Sequence, residues 1–212
     1  MKENPVKRKI VKTASNLFFQ KGFHGTSVRE IAKRAKVNVS AISYYFNSKQ
    51  GLLEYAVSYY YEQYLRKLEE TLYNAQQTEP LERLYELIFS IIQYKQENYQ
   101  FTCFIQRELS MDSVFVREMV VTYLAKENHL LEEAFDAVFR DHMKLHKKRY
   151  IFMQLKGMLI TPYVLHHWKD FVIGSYSSDL FVKHYVSHIK EWLDFVFEKY
   201  TSQPPSKNTN YI

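Results

Sequence analysis

Apolar residues recur along the chain at spacings of three and four, and strict apolar–polar alternation never persists, so helices are predicted and strands are not. Ile10, Val11, Ala14, Leu17 and Phe18 form one helical stripe. Pro5 suits its entry, and Lys21-Gly22 ends it with a last-turn cation and a glycine. Ser27 and Glu30 stand three apart, as a capping box requires, ahead of the short apolar face Val28, Ile31, Ala32, Ala35. Asn38 is a good N-cap for a third short helix from Val39 to about Tyr45, with Ile42 and Phe46 turned inward. Asn47-Ser48 makes a turn and cap, and a long fourth helix follows from Lys49 to about Tyr73. Its stripe is Leu52, Leu53, Ala56, Tyr60, Tyr64, Leu68 and Leu72.

Beyond a linker at 76–79, Pro80 opens a helix whose repeat is Leu81, Leu84, Ile88, Ile91, Ile92 and Lys95. A shorter helix is expected near Phe101–Leu109. Ser110 to Ser113 reads as a capping cluster for one long helix marked by Val116, Met119, Tyr123, Leu131, Phe135 and Val138. Lys144 to Arg149 reads as a basic break, and Tyr150 to about Trp168 as an apolar helix that Pro162 kinks or ends. Val172 to Ser178 reads as a loop. A last helix from Asp179 to Tyr200 carries Leu180, Phe181, His184, Tyr185, His188, Ile189, Trp192, Leu193 and Val196 on its stripe. The pattern predicts an all-α protein: a helix-turn-helix head over 1–48, a helical bundle over 49–200 and a flexible tail over 201–212.

Composition narrows the classes. Five Gly and five Pro among 212 residues disfavour collagen-like, low-complexity and loop-rich all-β chains. The single cysteine, Cys103, excludes an intramolecular disulfide and fits a reducing cytosol. The basic, polar start carries no apolar signal core, and the apolar run Gly157–Leu165 is far short of the roughly 20 residues of a membrane span. A soluble protein of the cytoplasm, associated with the nucleoid and not with the membrane, is expected. G-x-S-x-G, H-E-x-x-H and P-loop patterns are absent, so an enzyme is not expected, and no cofactor is called for.

Charge placement says more than net charge. Residues 1–49 hold eleven Lys and Arg against two Glu, a net +9, while the rest of the chain sums to −3. Cations confined to one small unit suggest a polyanion partner, nucleic acid or an anionic membrane, and the membrane is disfavoured because the apolar stripe of the first helix is claimed by the head's own core. Two short helices joined by a tight turn and braced by a third make a helix-turn-helix. From Asn38 onward, Val39, Ser40, Ala41, Ser43 and Tyr44 would face outward. Small side chains let the backbone approach the bases, hydroxyls bond either base type, and methyls meet thymine methyl groups. The Thr26 and Ser27 hydroxyls beside a helix N-terminus suit a phosphate oxygen, and Lys49 adds a cation at another terminus. Lys7, Arg8 and Lys9 would form an arm following the backbone or entering the minor groove.

The run from Phe18 to Ala32, then Ala35-Lys36-Val37-Asn38, then Tyr44 to Leu53, resembles the TetR family of transcription regulators over about residues 8–55. The resemblance implies an all-α homodimer that binds near-palindromic DNA and represses transcription, in many members until a small-molecule effector enters the C-terminal bundle. It also implies that Thr26, Ser27, Asn38, Ser43, Tyr44, Tyr45 and Lys49 contact DNA. Two positions depart from the family. Lys36 stands where glycine is common, and the third helix has no Arg or Gln for bidentate base reading, which shifts weight to shape and phosphate contacts. The run Phe104 to Ser113, with Val116-Arg117-Glu118-Met119, is similar to members of that family that regulate the division protein FtsZ. That likeness implies an alternative: DNA localises the protein, and Arg107, Arg117 and Glu118 form a partner surface for FtsZ.

Other features have plainer readings. His142 and His146, like His184 and His188, have the spacing of two ligands on one helix face, but third and fourth ligands are not evident and no metal is expected. The many aromatics of the body, Tyr59, Tyr60, Tyr94 and Trp192 among them, suit an effector pocket and equally suit core and dimer packing.

Overall fold

The computed structural model describes residues 4–109, 114–139, 142–164 and 177–201, and among these the regular structure is helical throughout. α1 (Pro5–Lys21) begins where Asn4 Oδ1 accepts the Val6 N–H at 2.9 Å. It ends at Gly22, whose φ of +73° is a conformation that a side chain would strain. α2 (Val28–Ala35) is capped by Ser27, whose Oγ accepts the Glu30 N–H at 3.2 Å. The capping box closes on that side alone. The Glu30 carboxylate turns to Lys21 at 2.6 Å and Arg34 at 3.5 Å. α3 (Val39–Phe46) and α4 (Lys49–Asn74) follow, each entered through a capping side chain, Asn38 and Ser48.

The bundle continues with α5 (Pro80–Glu97), α6 (Tyr99–Leu109), α7 (Val114–Met119), α8 (Ala125–Phe139), α9 (Leu145–Val164) and α10 (Ser178–Thr201). One apolar core runs through head and body. Ile10, Leu17, Phe18, Ile31, Ala35 and Ile42 are inaccessible in the head, and α4 carries the core onward through Leu52, Tyr64 and Leu68. Phe18 of α1 stacks on Phe104 of α6 at 5.5 Å between ring centres, so the head rests on the body through aromatic contact. Full burial of side chains of this size contributes about 1.5–3 kcal/mol each.

Two expectations change. The stripe from Val116 to Val138 is not one α-helix. A π-helical turn, Val120–Leu124, separates α7 from α8, and Tyr123 within it stacks on Tyr61 at 4.9 Å. A π turn holds an extra residue and re-aims the helix that follows, which a three-and-four spacing does not reveal. Lys144–Arg149 is no break: α9 starts at Leu145, and Lys148 pairs with Asp136 at 2.9 Å. A basic run looks alike in sequence whether it is a loop or an exposed helical turn. Pro162 lies inside α9, and the next residue, Tyr163, is still buried, with its hydroxyl donating to the Ile92 carbonyl at 3.2 Å. The expected capping cluster at 110–113, the far end of the apolar helix at 165–168, the loop at 172–176 and the tail at 202–212 lie outside the described residues.

The body buries a charged pair, and one member, Lys95, falls on the helical stripe of α5. Lys95 of α5 and Glu127 of α8 pair at 3.2 Å, with relative exposures of 3% and 4%. Tyr64 donates its hydroxyl to the same carboxylate at 2.9 Å. Burial alone would raise the Glu127 carboxyl, but the Lys95 and Lys156 ammonium groups and the Tyr64 hydroxyl hold it below the usual range. Among the described residues, no helix is long and apolar enough to cross a membrane.

Candidate nucleic-acid interface

The turn between α2 and α3 is Lys36-Val37-Asn38. Lys36 sits at φ 52°, ψ 49°, the left-handed region that its departure from glycine made a concern, at about 1–2 kcal/mol for a residue with a side chain. The turn is held by the Val37 N–H on the Ala32 carbonyl at 3.0 Å and by the Asn38 cap. Asn38 Oδ1 accepts both the Ser40 N–H and the Ser40 hydroxyl, each at 2.9 Å. α3 is therefore fixed by bonds that leave its outer face clear.

That face is what the spacing predicted. Ile42 and Phe46 are buried, whereas Ser40, Ser43 and Tyr44 are exposed, Tyr44 to 80% and Val39 to 42%. Ala41 differs: it is half-buried against the core. A helix two turns long, bearing small and hydroxyl side chains around one projecting tyrosine, can enter a groove without steric obstruction. Ser27 is exposed at the N-terminus of α2, close in sequence to the exposed cation Arg29. Lys33, Arg34 and Lys36 are exposed further along, and sequence reading singled out none of these four as contacts. Their signal was present as charge on a short helix but was indistinguishable from a solvated face.

Several expected contact residues turn inward instead. The Thr26 side chain is 1% exposed, and its hydroxyl bonds the Gly22 carbonyl at 2.8 Å and the Leu17 carbonyl at 3.2 Å. It closes the turn after α1 and is not offered to a phosphate. The Lys49 ammonium donates to the Phe23 and Thr26 carbonyls, both at 2.8 Å, and lies 4.3 Å from the centre of the Phe23 ring. It staples the 23–26 turn to the start of α4 rather than standing free. Lys7, Arg8 and Lys9 are not an arm, because Pro at N1 and the Asn4 cap start α1 before them. Lys7 is drawn onto the Tyr55 ring at 3.7 Å, while Arg8 and Lys9 are exposed. Tyr45 is half-buried and accepts a bond from Asn4 Nδ2 at 3.0 Å, which ties the start of α1 to α3. Asn4, cap and tie at once, was missed in sequence because a lone Asn before Pro carries no pattern.

In the body, Arg107 is not part of a free surface. Its guanidinium reaches the Phe18 carbonyl at 3.0 Å and the Phe19 carbonyl at 3.5 Å, at the end of α1, so it binds body to head. Arg117 and Glu118 are exposed on α7. His184 and His188 leave the buried stripe of α10: both are exposed, as are His142 and His146. Among the described residues, no three His, Cys, Asp or Glu side chains gather as a metal site would need. Cys103 is buried.

The sequence model for the bacterial regulatory proteins of the tetR family matches residues 10–56, the stretch from α1 through the start of α4. The "Probable HTH-type transcriptional regulator YttP" of Bacillus subtilis is 40% identical over 194 residues, covering 90% of this chain and 93% of that protein. Among solved structures, the fatty acid degradation regulator FadR from Bacillus halodurans superposes with a TM-score of 0.63 at 22% identity, over 90% of this chain and 97% of that one. The hemolysin II transcriptional regulator HlyIIR superposes with a TM-score of 0.60 at 25% identity, over 86% and 96%. A helix-turn-helix head built on a cationic segment, one helical body joined to it by a shared core, and likeness along nearly the whole chain agree: the protein belongs to the TetR family of bacterial transcription regulators.

Proposed function

We propose that the protein is a homodimeric repressor that places α3 of each protomer in the major groove of a near-palindromic site. The observation that carries this is the outer face of α3, where Val39, Ser40, Ser43 and Tyr44 are exposed on a helix anchored from behind by Ile42 and Phe46. Asn38 fixes the helix start, and Ser27 and Arg29 flank it for phosphate contacts. Thr26, Lys49 and Tyr45 act by holding the head's shape, and Lys7 by bracing α1 against α4.

Dimerisation is supported by large apolar side chains left exposed on the last two helices. Tyr150 and Met153 on α9 are 65% and 63% exposed, and Phe195 on α10 is 63% exposed. A symmetric pairing of these helices would cover them and set two α3 helices about 34–36 Å apart, one turn of DNA. Mapping the genomic sites occupied by the protein, with transcription compared in its presence and absence, tests the reading. Occupied inverted repeats with raised transcription on deletion are expected. A sedimentation measurement showing a monomer at micromolar concentration, or no binding to the mapped duplexes at low salt, overturns it.

A further inference from the structure

A groove of about 640 Å³ opens between head and body, beside the buried stripe of α1. One wall is α1, which contributes Arg8 and Lys12, one helical turn apart and so on one face. The other wall is the body: Tyr59 of α4, Tyr94 of α5 and Tyr99 of α6, all half-buried. Glu97 is the acid among the lining residues, so the groove has a net charge of +1.

Several cations of the head are already engaged within the chain. Lys21 is held by Glu30, Lys7 by the Tyr55 ring and Lys49 by two carbonyls. Among the described residues, the side chains of Arg8 and Lys12 have no ion pair or hydrogen bond. An aromatic wall facing two unengaged cations is complementary to one kind of molecule, an acid attached to a flat or aliphatic body. The volume lies within the roughly 300–1,000 Å³ of small-molecule sites.

We propose that this groove binds an amphipathic organic anion, its acidic group on Arg8 and Lys12 and its apolar part against Tyr59, Tyr94 and Tyr99. The occupant touches α1 and the body together. It would therefore bias the angle of the head, and it would neutralise cations that otherwise favour the approach of DNA. By linkage, whatever it takes from DNA affinity, DNA takes from its own. The binding stands on the groove alone; its consequence rests on the DNA-binding reading above.

The test uses the full-length protein and two fluorescent probes of similar shape. 1-Anilinonaphthalene-8-sulfonate carries an acid, and N-phenyl-1-naphthylamine does not. The wild type should bind the sulfonate probe with one site per chain. The double variant Arg8→Ala/Lys12→Ala, with unchanged circular dichroism and melting temperature, should bind it at least about 10-fold more weakly and the neutral probe unchanged. Glu97→Gln should tighten the sulfonate probe about 2–3-fold by removing the opposing charge. Tyr59→Ala should weaken both probes. Saturating sulfonate should lower the affinity of the wild type for its mapped duplex several-fold. Sulfonate binding that is indifferent to the double variant, or probe binding that is indifferent to Tyr59→Ala, overturns the proposal. If the probes behave as expected but the duplex does not bind at all, the groove stands and the DNA reading falls.

Discussion

Head and body use charge in opposite ways. In the head most cations lie at the surface, and Glu30 is shared between Lys21 and Arg34 without leaving water. In the body Lys95 and Glu127 are sealed between helices with a tyrosine hydroxyl on the carboxylate. Exposed ion pairs are screened and add little to stability, about 0–1 kcal/mol each. Their field nonetheless reaches a polyanion and sets the salt dependence of binding. A buried pair is in the reverse position: it does nothing for a partner in solution, and losing one member leaves a stranded charge. Substitutions in the two regions should therefore separate affinity from stability.

The largest effect is expected at the buried pair. Lys95→Ala or Glu127→Ala should cost about 3–5 kcal/mol in urea unfolding, whereas Lys95→Met with Glu127→Leu should recover most of that. If the double change is as damaging as the single ones, the pair does more than satisfy itself. The same carboxylate gives a pH signature. Its pKa in the fold is below the usual value of 4.5, so the unfolded chain takes up the proton first as pH falls. The stabilisation is full above about pH 4.5 and fades as pH drops through the lower folded value. The stability gap between wild type and Glu127→Gln should narrow over that acid range.

Tyr44→Ala should weaken binding to the mapped duplex by about 1–3 kcal/mol. It should move stability by no more than about 0.5 kcal/mol, because the ring is 80% exposed. A change in melting temperature without a change in affinity would invert the comparison. Arg107→Ala, which removes a charged donor from the Phe18 and Phe19 carbonyls, should cost about 1.5 kcal/mol of stability, near the lower end for such bonds at a half-buried site. Smallest is Lys36→Gly. Relief of the left-handed strain should stabilise the head by about 0.5–1 kcal/mol, read as a higher urea midpoint. The loss of one exposed cation should slightly reduce the salt dependence of DNA binding.

The head was more legible in sequence than the body, and the reason is local. Caps, C-terminal glycine and stripe lie within a few residues of one another, so Asn38, Ser27, Gly22 and the pair Ile42 and Phe46 could be placed from spacing alone. Which face of α3 is exposed followed from the same spacing. The direction of long side chains did not follow. Lys49 bonds carbonyls 23 and 26 residues away in sequence, and Arg107 reaches carbonyls 88 and 89 residues away. No periodicity carries that information. In the body, the π turn at Val120–Leu124 was invisible because its residues still look helical. Lys95, which falls on the apolar stripe of α5, is tolerable there only because Glu127 arrives from another helix.

Sequence by itself determined the all-α architecture, the helix starts and the cationic unit at the front of the chain, since propensity, capping and charge are properties of neighbours. Tertiary structure alone decided which cations are engaged and which stay open: Lys49, Lys7 and Arg107 are held, while Arg8 and Lys12 are left facing a groove. The physical reason is reach. A long side chain takes its nearest carbonyl, carboxylate or ring in space, and that neighbour is known only once the helices have packed.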